Sequence, residues 1–96
     1  MQEGLSQLPT APSGEEIGHV VSFFSIPSAA LIEITKGSLK IGDTIWIHGN
    51  TTDLKETVGS MQIEHQPATA ATVGQQVGVK VSSKVRRHDR VFKIST

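Results

Sequence analysis

The chain has 96 residues, of which 36% are hydrophobic and 19% are charged, and nine Lys and Arg balance nine Asp and Glu. This length predicts one small domain, and the zero net charge excludes a polycation that coats nucleic acid along its whole length. The absence of cysteine excludes disulfides, thiolate metal sites and a cysteine nucleophile.

The first fifteen residues predict a flexible N-terminal tail. Gln, Ser, Pro, Thr and Gly dominate this segment, and Pro9 and Pro12 discourage regular structure. It holds no apolar run typical of a signal peptide, and no segment of the chain is long enough to span a membrane. We therefore expect a cytoplasmic protein whose folded domain covers residues 16–96.

The rest of the chain predicts strands separated by turns, with no helix. Val, Ile, Phe and Thr are frequent, and Gly, Pro, Asn and Asp recur between the apolar runs. The predicted strands are 17–25, 30–35, 44–48, 55–65, 77–81 and 91–94, while 68–73 is expected to be a connection. Short strands in this number predict an all-β sandwich or a small barrel, and the periodicity does not choose between them.

The few aromatic residues leave the core to Val and Ile, and Trp46 is the aromatic residue with the clearest functional interpretation. Ile45 and Ile47 occupy the inward positions of their strand, so alternation points Trp46 outward. An exposed tryptophan is a good anchor for a protein contact. The alternative is that the tail or a loop covers it.

Three motifs occur in order, at residues 39–47 (LKIGDTIWI), 58–63 (VGSMQI) and 71–79 (ATVGQQVGV). Together they resemble the second domain of elongation factor Tu and of other translation GTPases. The chain is also similar to small stand-alone elongation factor-like proteins and to the barrel appended to collagenase-like peptidases. The resemblance implies an all-β fold, a single small six-stranded Greek-key β-barrel of the translation-protein type.

Two features depart from the translation GTPases. The chain has no G-x-x-x-x-G-K-[ST] loop, so we expect neither nucleotide binding nor GTP hydrolysis. Arg87-His88-Asp89 stands where the family commonly has a Gly-Asp turn, which would require His88 to adopt a positive φ.

The resemblance also implies a candidate binding rim. In elongation factor Tu, one rim of the barrel receives the 3′ end of aminoacyl-tRNA. The matching positions in this chain are Gln62, His65 and Gln76. They are therefore candidates for contact with RNA.

A second candidate RNA-binding surface is the basic C-terminal segment. Six of the nine basic residues lie in the last seventeen positions, among them Lys84, Arg86, Arg87 and Arg90. Arginines suit bidentate phosphate contacts, and clustered charge would give a salt-dependent affinity for RNA. The alternative is a solvated turn that keeps a Val-rich hairpin soluble.

No arrangement of residues in the sequence predicts catalysis or a metal site. The four histidines, His19, His48, His65 and His88, share no metal-ligand spacing. The carboxylates are scattered, and we expect Asp43 and Asp53 to cap turns. We predict no catalytic residue, no metal, no cofactor and no enzymatic activity.

Two functions follow from these observations. The first is a non-enzymatic binding module related to translation factors, engaging tRNA, rRNA or a ribonucleoprotein through the rim and the basic segment. The alternative is an accessory protein-interaction domain that supports a separate peptidase-like or other enzyme, with Trp46 as its contact. The sequence leaves the identity of the partner and the oligomeric state open.

Overall fold

The computed structural model describes residues 14–26 and 28–94, and all of their regular structure is β. The strands are β1 (Gly14–Ser25), β2 (Ser28–Ile34), β3 (Ser38–Lys40), β4 (Thr44–His48), β5 (Asp53–Thr57), β6 (Met61–Ile63), β7 (Gln66–Ala68), β8 (Ala70–Thr72), β9 (Gln76–Lys80) and β10 (Arg90–Ile94). Within these ranges there is no helix suited to crossing a membrane. The predicted all-β class is confirmed.

Eight strands form one antiparallel sheet in the order β5-β4-β10-β1-β2-β9-β6-β7, and β3 pairs with β8 in a separate two-stranded sheet. Strand β10 lies between β4 and β1, and β9 lies between β2 and β6, so the chain returns across the domain twice. Long returns of this kind are typical of Greek-key connections. Among the described residues the strand pairs do not close into a ring, since β5 and β7 end the order.

The structure has ten strands where the sequence predicted six, and four of the ten are only three residues long. The predicted strand 55–65 is two strands, β5 and β6, separated at residues 58–60. Val58 leaves the sheet there: its N–H donates to the Asp43 carbonyl and its carbonyl accepts from Gly42 N–H, both at 2.8 Å. The predicted connection 68–73 contains strand β8, which pairs with β3.

Strand β1 begins at Gly14, two residues before the predicted start of the folded domain. The remainder of the predicted tail, residues 1–13, lies outside the described residues.

The core is aliphatic, as predicted. Sixteen buried residues form one cluster that contains no aromatic side chain, and most of them are Val or Ile. In β2, Ala30, Ile32 and Ile34 are buried and alternate with half-buried residues of the outer face. Burial of each large aliphatic side chain stabilises the fold by about 1.5–3 kcal/mol.

A β-bulge in β1 decides which side chains reach the outer face of the sheet. Val20 lies opposite Ile32, but Ser22 lies opposite Leu31, so Val21 is an extra residue. Because a bulge shifts the alternation by one, Phe23 packs against the core while Phe24 faces outward and is 51% exposed. Without the bulge, the two phenylalanines would exchange faces.

Candidate binding groove

A groove of about 740 Å³ lies on the outer face of the sheet, at the end of the β1–β2 hairpin. Its floor is formed by the outward side of β2, β9 and β6, where Leu31 lies opposite Gly78 and Gly78 lies opposite Gln62. Because Gly78 has no side chain, the middle of the floor is open. The volume is in the range of ligand-binding clefts.

Two exposed hydrophobic residues of the β1–β2 hairpin form one wall of the groove. Phe24 is 51% exposed and Ile26 is 91% exposed, and both line the groove. Sequence reasoning missed them. The available signal was the Phe23-Phe24 pair near a Pro-containing turn, but alternation from Val20 assigns the wrong phenylalanine to the surface.

The opposite wall includes the turn between β6 and β7. Ile63 pairs with Gln66, so Glu64 and His65 are the two central residues of the hairpin, with φ values of 52° and 66°. Two positive values define a type I′ turn, which normally uses Asn or Gly. Each side chain in this conformation costs about 1–2 kcal/mol, and the turn places both Glu64 and His65 at the groove.

The β8–β9 turn completes the lining. Gly74 has a φ of 93°, and the side-chain oxygen of Gln75 accepts a 2.8 Å hydrogen bond from Thr72 N–H, which fixes the turn. Gln76 follows at the start of β9 and also lines the groove.

The three predicted rim residues, Gln62, His65 and Gln76, all line this groove. They come from β6, the β6–β7 turn and β9, and the pairing of β6 with β9 brings them together. Among the described lining residues of the groove, Glu64 is the one carboxylic acid, and there is neither Lys nor Arg.

The basic segment lies outside the groove. The side chains of Lys84, Arg86, Arg87 and Arg90 are all exposed, and none of the four lines the groove. The Arg87 side chain bonds back to β1, with Nε donating to the Val21 carbonyl at 3.3 Å. Arg90 lies beside β1 and β4 in the sheet.

The turn that carries the basic segment has the expected strained conformation. His88 has a φ of 76°, as the position of a Gly-Asp turn in the family implied. Buried Asp89 accepts a 2.8 Å hydrogen bond from Arg86 N–H, and Asp89 N–H donates to the Arg86 carbonyl. These two bonds fix the turn around His88.

The prediction that Trp46 is exposed is wrong, since only 4% of it is accessible. The indole is on the face opposite Ile45 and Ile47, as alternation requires, but it packs against Phe92 at 5.0 Å and His48 at 4.5 Å between ring centroids. Its Nε1 donates to Asp53 Oδ1 at 2.6 Å. Trp46 is therefore packed against other side chains and is not available as an exposed protein anchor.

The two aspartates predicted to cap turns differ. Asp43 Oδ2 accepts from Lys40 N–H at 2.8 Å, as expected for a capping residue. Asp53 does not cap a turn: it begins β5 and binds the indole of Trp46.

Two of the four histidines lie near one another, since His19 and His88 line a small pocket together with Glu33. His19 Nε2 lies 3.7 Å from Glu33 Oε1, while His65 and His88 are in two separate turns. Within the part of the chain that the structure describes, no three His, Asp or Glu side chains are grouped so that they could hold a metal ion.

The family model that matches this chain is elongation factor Tu domain 2, over residues 29–87. The match covers more than half of the chain. The chain belongs to the elongation factor Tu domain 2 family. All residues that line the groove, except Phe24 and Ile26, lie within the matched range.

Curated relatives of this family member have names of peptidases. The chain is 50% identical over 78 residues to an uncharacterized protease of Methanocaldococcus jannaschii, a match that covers 80% of this chain and 19% of the protease. It is 36% identical over 78 residues to a collagenase of Porphyromonas gingivalis, covering 80% of this chain and 22% of that protein. The chain thus spans about a fifth of the length of the curated relatives it matches.

Solved structures confirm the fold. The C-terminal domain of a Geobacillus thermoleovorans protein named as a U32 peptidase superposes with a TM-score of 0.77 at 18% identity, covering 82% of this chain and 99% of that domain. A second structure of that domain gives the same TM-score and covers 84% of this chain and 93% of the other. Both resemblances noted in the sequence, to elongation factor Tu domain 2 and to the peptidase-appended barrel, are confirmed.

Proposed function

We propose that this elongation factor Tu domain 2 module is a non-catalytic accessory domain that supports a peptidase-type catalytic segment by binding polypeptide. The observation that carries the proposal is the 50% identity to 78 residues of a protease whose remaining four fifths this chain does not match. This identity over 78 residues points to a shared role for this chain and for the matching segment of the protease. The groove of this chain is a binding surface through which it could perform that role.

The groove supports a role in binding. Exposed apolar side chains such as Phe24 and Ile26 beside polar groups that can hydrogen-bond form the usual composition of a ligand cleft. The matched module would hold a chain near the catalytic segment, and the catalytic chemistry belongs to that segment.

A chimaera of the Porphyromonas gingivalis collagenase tests this proposal. Three proteins are compared for collagen cleavage: the intact collagenase, the collagenase without the segment that matches this chain, and a chimaera with residues 14–94 of this chain in place of that segment. We expect deletion to reduce cleavage and the chimaera to restore it. If the deleted enzyme cleaves collagen as fast as the intact one, or the chimaera restores nothing, the proposal is wrong.

RNA binding is the second candidate function, and the exposure of Lys84, Arg86, Arg87 and Arg90 is the observation that favours it. Four exposed cations within seven residues would contact phosphates and release counterions, so the affinity would fall steeply with salt. Binding of total tRNA to the wild type and to Arg86→Ala/Arg87→Ala, at low and moderate salt, tests it. Affinity that is insensitive to both changes would contradict an RNA-binding role for this segment.

A further inference from the structure

We propose that the groove is a site for an extended substrate polypeptide, and that it selects an apolar anchor side chain flanked by uncharged or basic residues. The inference rests on the proposed function, because it assigns the polypeptide-binding role of the accessory domain to one site and one class of sequence. The occupant is the substrate of the catalytic segment, in its unfolded or extended form.

Charge distinguishes this occupant from a nucleic acid. Among the described residues that line the groove, Glu64 is the one carboxylic acid and there is no Lys or Arg. Phosphates in such a cleft would lose water without gaining a cationic partner, which is unfavourable. A neutral segment has no such cost, and a basic residue gains the Glu64 carboxylate as its partner.

The apolar side of the groove suits a single anchor side chain. Phe24 and Ile26 project from the β1–β2 hairpin with more than half of each exposed, and Leu31 and Ala29 continue the apolar surface across the floor. A ligand side chain laid between them would remove part of this apolar surface from water. Burial of a large apolar side chain in such a position is the usual source of hot-spot affinity.

The polar side of the groove suits a peptide backbone. Gln62 and Gln76 flank Gly78, one across the strand pair and one along β9. Each amide side chain has both donors and an acceptor, so each can pair with the N–H and C=O of an extended chain. Gln76 precedes Gly78 by two residues, a rise of about 6.6 Å along β9. Gln62 lies opposite Gly78 on β6, so the two amides are diagonal neighbours on one face of the sheet.

The size of the groove favours a short segment over a folded partner. The volume of the groove, about 740 Å³, is that of a cleft for a small ligand. A stable interface with a folded partner is a broad surface instead, with about 800 Å² buried on each partner. An enzyme domain packed on this face would need a much larger apolar surface than the hairpin tip provides.

Gly78→Val is the variant that tests the site, because it places a branched side chain in the middle of the floor. A Cβ at Gly78 would meet nothing closer than the Gln62 carbonyl oxygen at 3.8 Å, an ordinary contact. Valine also favours strands more than glycine does. A urea unfolding midpoint at or above that of the wild type shows that the variant folds.

Three short fluorescein-labelled peptides serve as probes, and their binding is measured by fluorescence anisotropy. All are Gly- and Ser-rich: one has a central Leu flanked by Lys, one has the same Leu flanked by Glu, and one has Ser in place of Leu. We expect the Lys-flanked Leu peptide to bind about tenfold or more tightly than the other two. Gly78→Val should weaken its binding by a similar factor.

Ile41→Ser is the matched control. Ile41 is also an exposed apolar turn residue, at 45% accessibility, but it does not line the groove. We expect Ile26→Ser to weaken peptide binding and Ile41→Ser to leave it unchanged.

The inference is overturned if Gly78→Val binds the Leu peptide as well as the wild type, or if the Glu-flanked peptide binds equally well. It is also overturned if total tRNA binds the wild type and loses affinity with Gly78→Val, since the groove would then hold RNA. In the collagenase chimaera, Gly78→Val should reduce cleavage. If the chimaera cleaves collagen and Gly78→Val leaves that cleavage unchanged, the groove is not the substrate site, but the accessory role stands. If the chimaera with the wild-type segment does not cleave collagen, the accessory role itself is wrong.

Discussion

Asp53→Ala should destabilise the fold by about 1.5 kcal/mol, because it removes the hydrogen-bond partner of a buried indole. Trp46 Nε1 lies 2.6 Å from Asp53 Oδ1, and only 4% of Trp46 is exposed. A hydrogen bond to a charged group contributes about 1.5–3 kcal/mol. The lower value applies here because Asp53 itself is exposed, so water and salt screen its charge.

A double-mutant cycle separates this bond from other effects of the substitution. Trp46→Phe removes the N–H but keeps an aromatic ring against Phe92. Asp53→Ala in that background should therefore cost only a few tenths of a kcal/mol, the size of an ordinary surface substitution. Urea unfolding gives the free energies, followed by far-UV circular dichroism in all four proteins. Trp46 is the single tryptophan, so its fluorescence gives a second signal wherever it is present.

The result that would refute this reasoning is an equal cost of Asp53→Ala in the two backgrounds. A cost below about 0.5 kcal/mol in the wild-type background would refute it as well, since that is the size of an ordinary surface substitution.

Two further predictions concern the backbone. Gly18→Ala should lower the free energy of unfolding, measured in urea, by about 2–3 kcal/mol, because its Cβ would overlap the Glu33 carbonyl oxygen. Gly78→Ala, in the same sheet, would make only an ordinary contact at 3.8 Å and should not lower stability. Equal effects of the two substitutions would contradict this account. His88→Gly should raise the free energy of unfolding by about 0.5–1 kcal/mol. Glycine adopts the positive φ of this position without strain, and this gain is larger than the entropy that glycine loses on folding. A loss of stability in His88→Gly would mean that the imidazole makes a contact worth more than the strain.

Much of the fold was predictable because its signals are local. Alternation of Ile and Val predicted β4 with its observed bounds and assigned Ile45 and Ile47 to the core. The Gly-Asp and Gly-Gln turns after Ile41 and Val73 have the positive φ that only their glycines adopt readily. These turns, with their separations, also carried the family resemblance.

The groove was predictable only in part, because its two walls arise from different causes. Gln62, His65 and Gln76 followed from the resemblance, but Phe24 reaches the surface only because of the bulge at Val21. A bulge is an extra residue relative to a partner strand, and a single sequence does not show which strand is the partner. The same limit explains why β3 and β8 were missed, since they pair with each other and Leu39 lies opposite the distant Ala71.

Trp46 illustrates a second limit. Alternation assigned it correctly to the outer face of β4, but the burial of that face depends on Phe92 from β10 and on Asp53. Facing away from the core and being exposed are different properties. Only the order of strands in the sheet distinguishes them.

The most direct test of the account is an amide NMR titration of the ¹⁵N-labelled chain with the Lys-flanked Leu peptide. The account predicts that the largest shift changes cluster at Gln62, His65, Gln76 and Gly78, with little change at Arg86 and Arg87. Changes confined to the basic segment, or none at saturating peptide, would contradict the groove as the binding surface of this domain.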